Sequence, residues 1–149
     1  HKSSRGLGDV YKRQTPLYEL INNNVDSARK VFFVHGGTDV EDREEVRNLT
    51  ETESNAIIVA SYGTFSTGIN IKRLHNIVFA SPSKYRIRHL QSIGRVLRKG
   101  EGKDIATLYD IADDIGGQNY TLKHLNERVN IYNNENFKYE VIRVNLRAN

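Results

Sequence analysis

The stretch KVFFVHGG, at residues 30–37, contains a short apolar run that stops at two glycines. Four consecutive apolar residues, from Val31 to Val34, are typical of a β-strand that is buried on both faces. Similar runs follow in AIIVAS at 56–61 and NIVFAS at 76–81, and IATLYDIAD begins another at Ile105. The sequence therefore predicts four strands here, of which the first two are buried.

Segments with helical patterns separate these strands. Asp39 to Thr52 carries a thin apolar stripe among charged residues, which favours an exposed helix. A long helix is predicted over 83–97, because its apolar residues recur at intervals of three and four. Thr121 to about Tyr132 predicts a further helix, and Lys138 to Leu146 a final strand. Strands that alternate with helices predict the α/β class, a parallel sheet with helices on both faces.

The first 14 residues differ from the rest of the chain. They include GLGDVYKRQ, which resembles translated linker sequence, and they show neither helical nor strand periodicity. We therefore interpret residues 1–14 as a non-native, linker-like segment and residues 15–149 as one domain. Thr15 can cap a helix and Pro16 suits the first helical position, so we expect the first helix to begin there.

Composition excludes several classes of protein. Cysteine is absent from the 149 residues, which excludes disulfides and thiolate metal sites, and the five histidines show no metal-binding spacing. No apolar run is long enough to span a membrane, and no signal peptide opens the chain. We therefore expect a soluble, cytoplasmic protein without a metal site of its own.

Positive charge is concentrated in one stretch of the domain. The formal net charge is +4, and residues 1–14 account for +3 of it. Positions 84–103 hold seven basic residues against Glu101, whereas the remaining sequence is mildly acidic. Such local clustering indicates contact with phosphate more strongly than the overall charge does.

Within this stretch, QSIGRVLRKG at 91–100 carries a row of polar side chains. Gln91, Arg95 and Arg98 are four and three residues apart, so they lie on one side of a helix. Two arginines at this spacing can converge on a phosphoryl group, because the guanidinium stays charged and offers paired planar donors. A solvated basic helix face has the same pattern, and the spacing alone leaves both interpretations open.

Two glycine-rich turns follow strands, at the carboxyl ends where parallel sheets bind ligands. In ASYGTFSTGIN, at 60–70, hydroxyls such as those of Ser61 and Thr64 and the amides beside glycine suit phosphate. HGG at 35–37 could offer amides to a nucleic-acid backbone. Ordinary turns carry the same glycines, and no Ser or Asp is spaced to make His35 a catalytic base.

The order and spacing of these three segments, HGG, then SxGTFSTGIN, then QSIGRVLRKG, closely resemble the second-lobe motifs of superfamily 2 helicases. Within that superfamily the sequence is most similar to the UvsW-type recombination helicases of phages, from Thr15 to the end of the chain. QxxGRxxR is the specific part of the resemblance, since glycine turns alone would be weak evidence for the family. The resemblance implies a RecA-like, P-loop NTPase-like lobe that lacks its first strand, because linker-like residues occupy that strand's place.

In this family ATP binds in the cleft between two similar lobes. The resemblance implies that Arg95 and Arg98 reach the γ-phosphate, with Arg98 as the arginine finger, and that Gln91 positions the γ-phosphate or the attacking water. It also implies that Gly68 and Asn70 lie near the ribose. Many members of the family have Asp at the position of Asn70, so this chain departs from the pattern there.

The resemblance further implies a nucleic-acid grip, a cofactor and partners. His35, Gly36, Ser61 and Thr64 would bind the nucleic-acid backbone, which gives affinity but little sequence preference. The cofactor would be ATP with Mg²⁺, whose metal ligands belong to the first lobe, because this chain has neither GxxxxGK[ST] nor a DExH motif. The partners would be the first lobe of the same polypeptide and DNA, branched or single-stranded, with RNA as an alternative.

Two hypotheses for function follow. The first is the C-terminal motor lobe of an ATP-dependent DNA helicase or translocase that acts in recombination, repair or replication-fork remodelling, in the host cytoplasm if a phage encodes it. This lobe would be inactive without its first lobe. The second is a non-catalytic nucleic-acid-binding module whose basic helix grips phosphates. A Rossmann-type enzyme is disfavoured, because no GxGxxG follows a first strand.

Overall fold

A computed structural model describes residues 3–35, 38–61, 73–80, 106–117 and 120–146. Their helices and strands, numbered here in chain order, are α1 Ser3–Asn24, β1 Val31–Val34, α2 Val40–Thr52, β2 Ile57–Ala60, β3 Asn76–Phe79, β4 Thr107–Asp110 and α3 Tyr120–Asn134. They fall into two compact units, of which the first contains α1, β1, α2 and β2 and the second contains β3, β4 and α3. The helix predicted over 83–97 lies outside the described residues.

The first unit is built on the parallel pair of β1 and β2, in which Val34 lies opposite Ala60. Because α2 connects the two strands, they form the β-α-β unit that the alternating pattern predicted. α1 packs against both strands. Its Tyr18 ring stacks on the Phe33 ring of β1, with centroids 5.1 Å apart.

Val34 is the centre of the core of this unit. It is completely buried and is packed by Val46 of α2, Ile58 and Ala60 of β2, and Leu74. The other residues of β1 are half-buried, so the prediction that the whole strand is buried on both faces is wrong. In the described part of the chain this sheet has two strands, and a narrow sheet leaves more of its side chains in contact with water than a wide one.

α1 begins at Ser3 instead of Thr15, and Pro16 lies inside it. The predicted start of this helix is therefore wrong. Extending a helix that already exists needs no new nucleus, so residues without apolar periodicity can continue it. Pro16 has no N–H to donate to the carbonyl of Lys12, which makes this turn of the helix weaker. The helix includes most of the linker-like segment, whose non-native origin stays a prediction.

The second unit contains the parallel pair of β3 and β4, with Phe79 opposite Asp110. One face of this pair is covered, since Phe79 is buried, whereas Val78 and Tyr109 on the other face are 57% and 53% exposed. The predicted α/β class with parallel strands is confirmed. The described residues form two separate two-stranded sheets, and the continuous sheet of a RecA-like lobe stays a prediction.

The two elements predicted for the end of the chain have different outcomes. α3 is confirmed as a helix over Tyr120–Asn134, whereas the predicted final strand over 138–146 is wrong, because that segment is outside any ladder. Val141, Ile142 and Val144 are 71–73% exposed, and none of the described strands pairs with the segment. A sequence pattern favours pairing, but a strand forms only where the fold supplies a hydrogen-bonding partner.

Candidate functional site

Two of the predicted site residues, His35 and Ser61, belong to the described part of the chain. The others lie outside the described residues: Gly36, Thr64, Gly68, Asn70, Gln91, Arg95 and Arg98. The geometry of the site is therefore given by the ends of β1 and β2.

His35 and Ser61 lie at the same edge of the first sheet. Val34 and Ala60 are register partners in a parallel pair, and His35 and Ser61 are the residues that follow them. Both are half-buried. The structure thus brings together two predicted nucleic-acid contacts that are 26 positions apart in the sequence, at the edge where parallel sheets bind ligands.

The main chain of His35 takes part in a tight turn. Its N–H donates to Oγ1 of Thr38 at 3.1 Å, and its carbonyl accepts from the Thr38 N–H at 3.0 Å. The imidazole contacts the Phe33 ring, with centroids 5.4 Å apart. The His35 amide is therefore occupied within the turn. Sequence reasoning missed Thr38, although a hydroxyl in the residues just after a strand end is a common turn signal.

The second unit contains a buried polar cluster that sequence reasoning also missed. We call Asp110, Arg128 and Tyr132 the Asp110 network. Nε of Arg128 and the hydroxyl of Tyr132 both donate to Oδ2 of Asp110, at 2.7 and 2.6 Å. The side chains of Arg128 and Asp110 are 2% and 10% exposed. An Arg and a Tyr four residues apart on a helix were visible in the sequence, but their common partner on a distant strand was not.

The environment of Tyr132 keeps its hydroxyl protonated. Burial raises the pKa of this phenol well above its usual value, and the hydrogen bond to Asp110 and its negative charge raise it further. Arg128 acts in the opposite direction, since its positive charge favours the phenolate. Tyr132 is therefore a hydrogen-bond donor to Asp110 at neutral pH, not a proton source.

The hydrogen bonding of the network is incomplete. Within the described part of the chain, Nη1 and Nη2 of Arg128 and Oδ1 of Asp110 are buried without a hydrogen-bond partner. Buried polar atoms are nearly always partnered in proteins, and those that are not reduce stability. The network is thus held by one side of the guanidinium and one carboxylate oxygen.

Other features of the described residues do not point to a ligand at these ends of the strands. A cavity of about 290 Å³ lies at the opposite, amino end of the first sheet, lined by Asn24, Val25, Asp26, Ala28, Arg29 and Asn55. Among the residues described, His, Asp and Glu form no group of three that could hold a metal ion. In that same part of the chain, no helix is both long and apolar enough to cross a membrane.

Comparison with known proteins identifies the family. Residues 10–100 match the model of the helicase conserved C-terminal domain. This range includes His35, Ser61 and the segment 91–100. The chain therefore belongs to the helicase conserved C-terminal domain family.

The chain is also similar to individual proteins and to one crystal structure. The chain is 43% identical over 143 residues to the ATP-dependent DNA helicase uvsW of Enterobacteria phage T4, covering 87% of this chain and 28% of that protein. It is 32% identical over 97 residues to a protein of Acanthamoeba polyphaga mimivirus that carries the name of an ATP-dependent RNA helicase, covering 65% of this chain and 17% of that one. The crystal structure of T4 UvsW matches with a TM-score of 0.64 and 40% identity, over 85% of this chain and 28% of that structure. The chain thus spans less than a third of the relatives that it matches.

Proposed function

We propose that the chain is the C-terminal motor lobe of an ATP-dependent DNA helicase or translocase that acts in recombination, repair or replication-fork remodelling. The observation that carries this proposal is the match of residues 10–100 to the helicase C-terminal domain, a range that encloses all three of the glycine and arginine segments. The 43% identity to a protein named as an ATP-dependent DNA helicase favours DNA over RNA as the substrate.

The proposed nucleotide half-site is formed by the segments at 60–70 and 91–100. In it, Arg98 is the arginine finger, Arg95 binds the γ-phosphate and Gln91 orients the phosphate or the attacking water. Arginine at such positions stabilises the charge that develops on the transferred phosphoryl group. Gly68 and Asn70 would contact the ribose side of ATP. Mg²⁺ and its ligands would come with the first lobe, which brings the phosphate-binding loop.

The proposed DNA grip lies at the carboxyl edge of the first sheet. The shared position of His35 and Ser61 beyond the paired Val34 and Ala60 supports it. Gly36 and Thr64, which follow His35 and Ser61 in the sequence, would contribute an amide and a hydroxyl. Contacts of this kind go to phosphate oxygens, so the grip would hold DNA of any sequence.

The proposal is tested by ATP hydrolysis in the full-length protein that contains this lobe. We expect DNA-stimulated hydrolysis in the wild type and a loss on the order of 10³-fold in kcat in Arg98→Ala, because the transition-state charge is no longer stabilised. Arg29→Ala is the matched control, since Arg29 is an exposed arginine outside the proposed site, and it should retain activity. Wild-type turnover in Arg98→Ala would refute the finger assignment.

The same protein distinguishes the motor from a non-catalytic nucleic-acid-binding module. Both would bind DNA electrostatically, so salt dependence cannot separate them. A motor lobe should change its affinity for DNA when a non-hydrolysable ATP analogue is added, because ATP closes the cleft between the lobes. An affinity for DNA that does not change when the ATP analogue is added would favour the binding module.

A further inference from the structure

The last described residues form an apolar segment that is open to solvent. Val141, Ile142 and Val144 are 71–73% exposed. Within the described part of the chain, no backbone–backbone hydrogen bond reaches residues 138–146. A β-branched apolar segment whose main-chain groups are unpaired has the properties of a strand without its neighbour. We call residues 141–146 the apolar arm.

The base of the apolar arm is fixed to the end of α3. Asn136 has a left-handed φ of 55°. Its N–H donates to the Asn133 carbonyl at 3.1 Å, and the N–H of Phe137 donates to the Tyr132 carbonyl at 2.9 Å. These two bonds form the Schellman motif, which ends a helix and turns the chain in a defined direction. The rings of Phe137 and Tyr139 lie against the Tyr132 ring, with centroids 6.3 and 6.1 Å away. The arm therefore leaves α3 from a fixed point.

The strands of the same compact unit do not pair with the apolar arm. β3, β4 and the arm all belong to the second unit, and in the described residues its sheet consists of β3 and β4. A second copy of the chain would lose translational and rotational freedom on binding, a cost that one short strand offsets only in part. A partner within the same polypeptide avoids most of this cost, because its effective concentration is high. These considerations favour a partner in the same polypeptide.

The rest of a full-length protein supplies such a partner. The chain spans 28% of the phage protein to which it is 43% identical and 28% of the chain in the UvsW crystal structure. In the function proposed above, the remaining polypeptide includes the first lobe, an α/β lobe similar to this one. The outer strand of an open sheet has unpaired N–H and C=O groups. A sheet of the first lobe therefore offers the edge that the apolar arm lacks.

We propose that the apolar arm adds as a strand to a sheet edge of the first lobe in the full-length protein, an inference that rests on the function proposed above. Strand addition of this kind gives affinity through main-chain hydrogen bonds, and alternate side chains give specificity. The arm thereby ties the two lobes together through the backbone. It also removes the exposed apolar side chains from water.

Hydrogen exchange of the arm's amides tests the pairing in the full-length protein and in the 149-residue chain. In the full-length protein we expect every second amide of the arm to exchange at least about 100-fold more slowly than in the chain alone, because the ladder forms on one side of the strand. Equally fast exchange in both proteins would overturn the inference. Slow exchange in the chain alone would overturn it too, since the arm would then pair with its own strands or, if the protection depends on concentration, with a second copy.

Proline variants test whether the first lobe is the partner. Val144→Pro removes one main-chain N–H, and Asn145→Pro removes the next, which points to the opposite side of a strand. We expect one of the two substitutions to weaken the binding of the separately produced first lobe to the chain by about tenfold or more, since a ladder bond is lost on the paired side alone. Equal effects of the two substitutions, or a wild-type chain that does not bind the first lobe, would overturn the inference.

Val40→Pro is the matched control for these variants. Val40 is a valine of nearly the same exposure as Val144, 72% against 71%, and it is the first residue of α2, where proline is well tolerated. This variant should bind the first lobe as the wild type does. A loss equal to that of the weaker arm variant would show that the effect is not specific to the arm and would overturn the inference.

ATP hydrolysis by the wild-type full-length protein separates this inference from the proposed function. Hydrolysis in a protein whose arm exchanges fast would refute the strand pairing alone. A protected arm in a protein that does not hydrolyse ATP would refute the motor function and leave the pairing intact.

Discussion

Individual residues acquire their roles here from partners that are distant in the sequence. Arg128 would be an ordinary basic residue of a surface helix if judged by its neighbours in the chain. It is instead the largest fully buried side chain among the described residues, and Asp110 supplies a carboxylate for its Nε. His35 differs, since its partner is local: the hydroxyl of Thr38, three residues later, accepts its amide hydrogen.

Tyr132 predicts a specific dependence of stability on pH. Because burial and Asp110 raise the pKa of its phenol, folding favours the protonated form. This stabilisation is fully present below the unfolded pKa of about 10 and is lost as pH rises above it, at a limiting slope of about 1.4 kcal/mol per pH unit. Urea unfolding of the chain between pH 9 and 11 should show the decline in the free energy of unfolding.

Tyr132→Phe is the reference for that measurement. The variant should be less stable at neutral pH, because Asp110 loses a hydrogen bond, but its stability should fall less steeply above pH 10. Equal slopes in the two proteins would contradict the assignment of the decline to Tyr132.

At the scale of elements, α1 is where local sequence and the surrounding fold disagree. Its apolar contact with the sheet is clear from Tyr18, which stacks on Phe33. Four residues earlier in the chain, Gln14 is 8% exposed, and neither Nε2 nor Oε1 has a hydrogen-bond partner among the described residues. Gln14 is the last residue of the linker-like segment. It is thus buried although its side chain is polar.

Gln14→Leu should therefore stabilise the chain. The substitution removes two unpartnered buried polar atoms, each of which costs about 1–3 kcal/mol, and we expect a net gain of roughly 1–2 kcal/mol in the free energy of unfolding. Lys12→Leu, at an exposed position of the same helix, is the control and should change stability by less than about 0.5 kcal/mol. Thermal or urea unfolding measures both, and a less stable Gln14→Leu variant would show that the amide has a favourable environment.

At the scale of the whole molecule, the proposed function makes the chain one half of a motor. The helicase C-terminal match covers residues 10–100, and the chain spans 28% of the phage protein to which it is 43% identical. It contains neither GxxxxGK[ST] nor a DExH motif, and in the proposed motor these motifs of the other lobe would hold ATP and Mg²⁺. Phosphoryl transfer needs the metal and both sets of phosphate ligands at once.

We therefore expect the 149-residue chain to hydrolyse no ATP by itself, with or without DNA. Mixing it with the separately produced first lobe of the full-length protein should restore DNA-stimulated phosphate release. The first lobe alone is the control and should also be inactive. Steady turnover by the 149-residue chain alone would contradict the division of the site between two lobes.

The sequence alone determined the positions of β1 to β4, α2 and α3, because apolar periodicity and glycine turns act within a few residues of each other. It also indicated the family, since QxxGRxxR is a local pattern that resembles a motif of superfamily 2 helicases. Only the tertiary structure decided that α1 starts at Ser3, that 138–146 stays unpaired and that Arg128 is buried against Asp110. The burial of Arg128 and the absence of a strand at 138–146 depend on what lies opposite a residue in space, and a hydrogen-bond partner 18 residues away leaves no periodic signal in the chain.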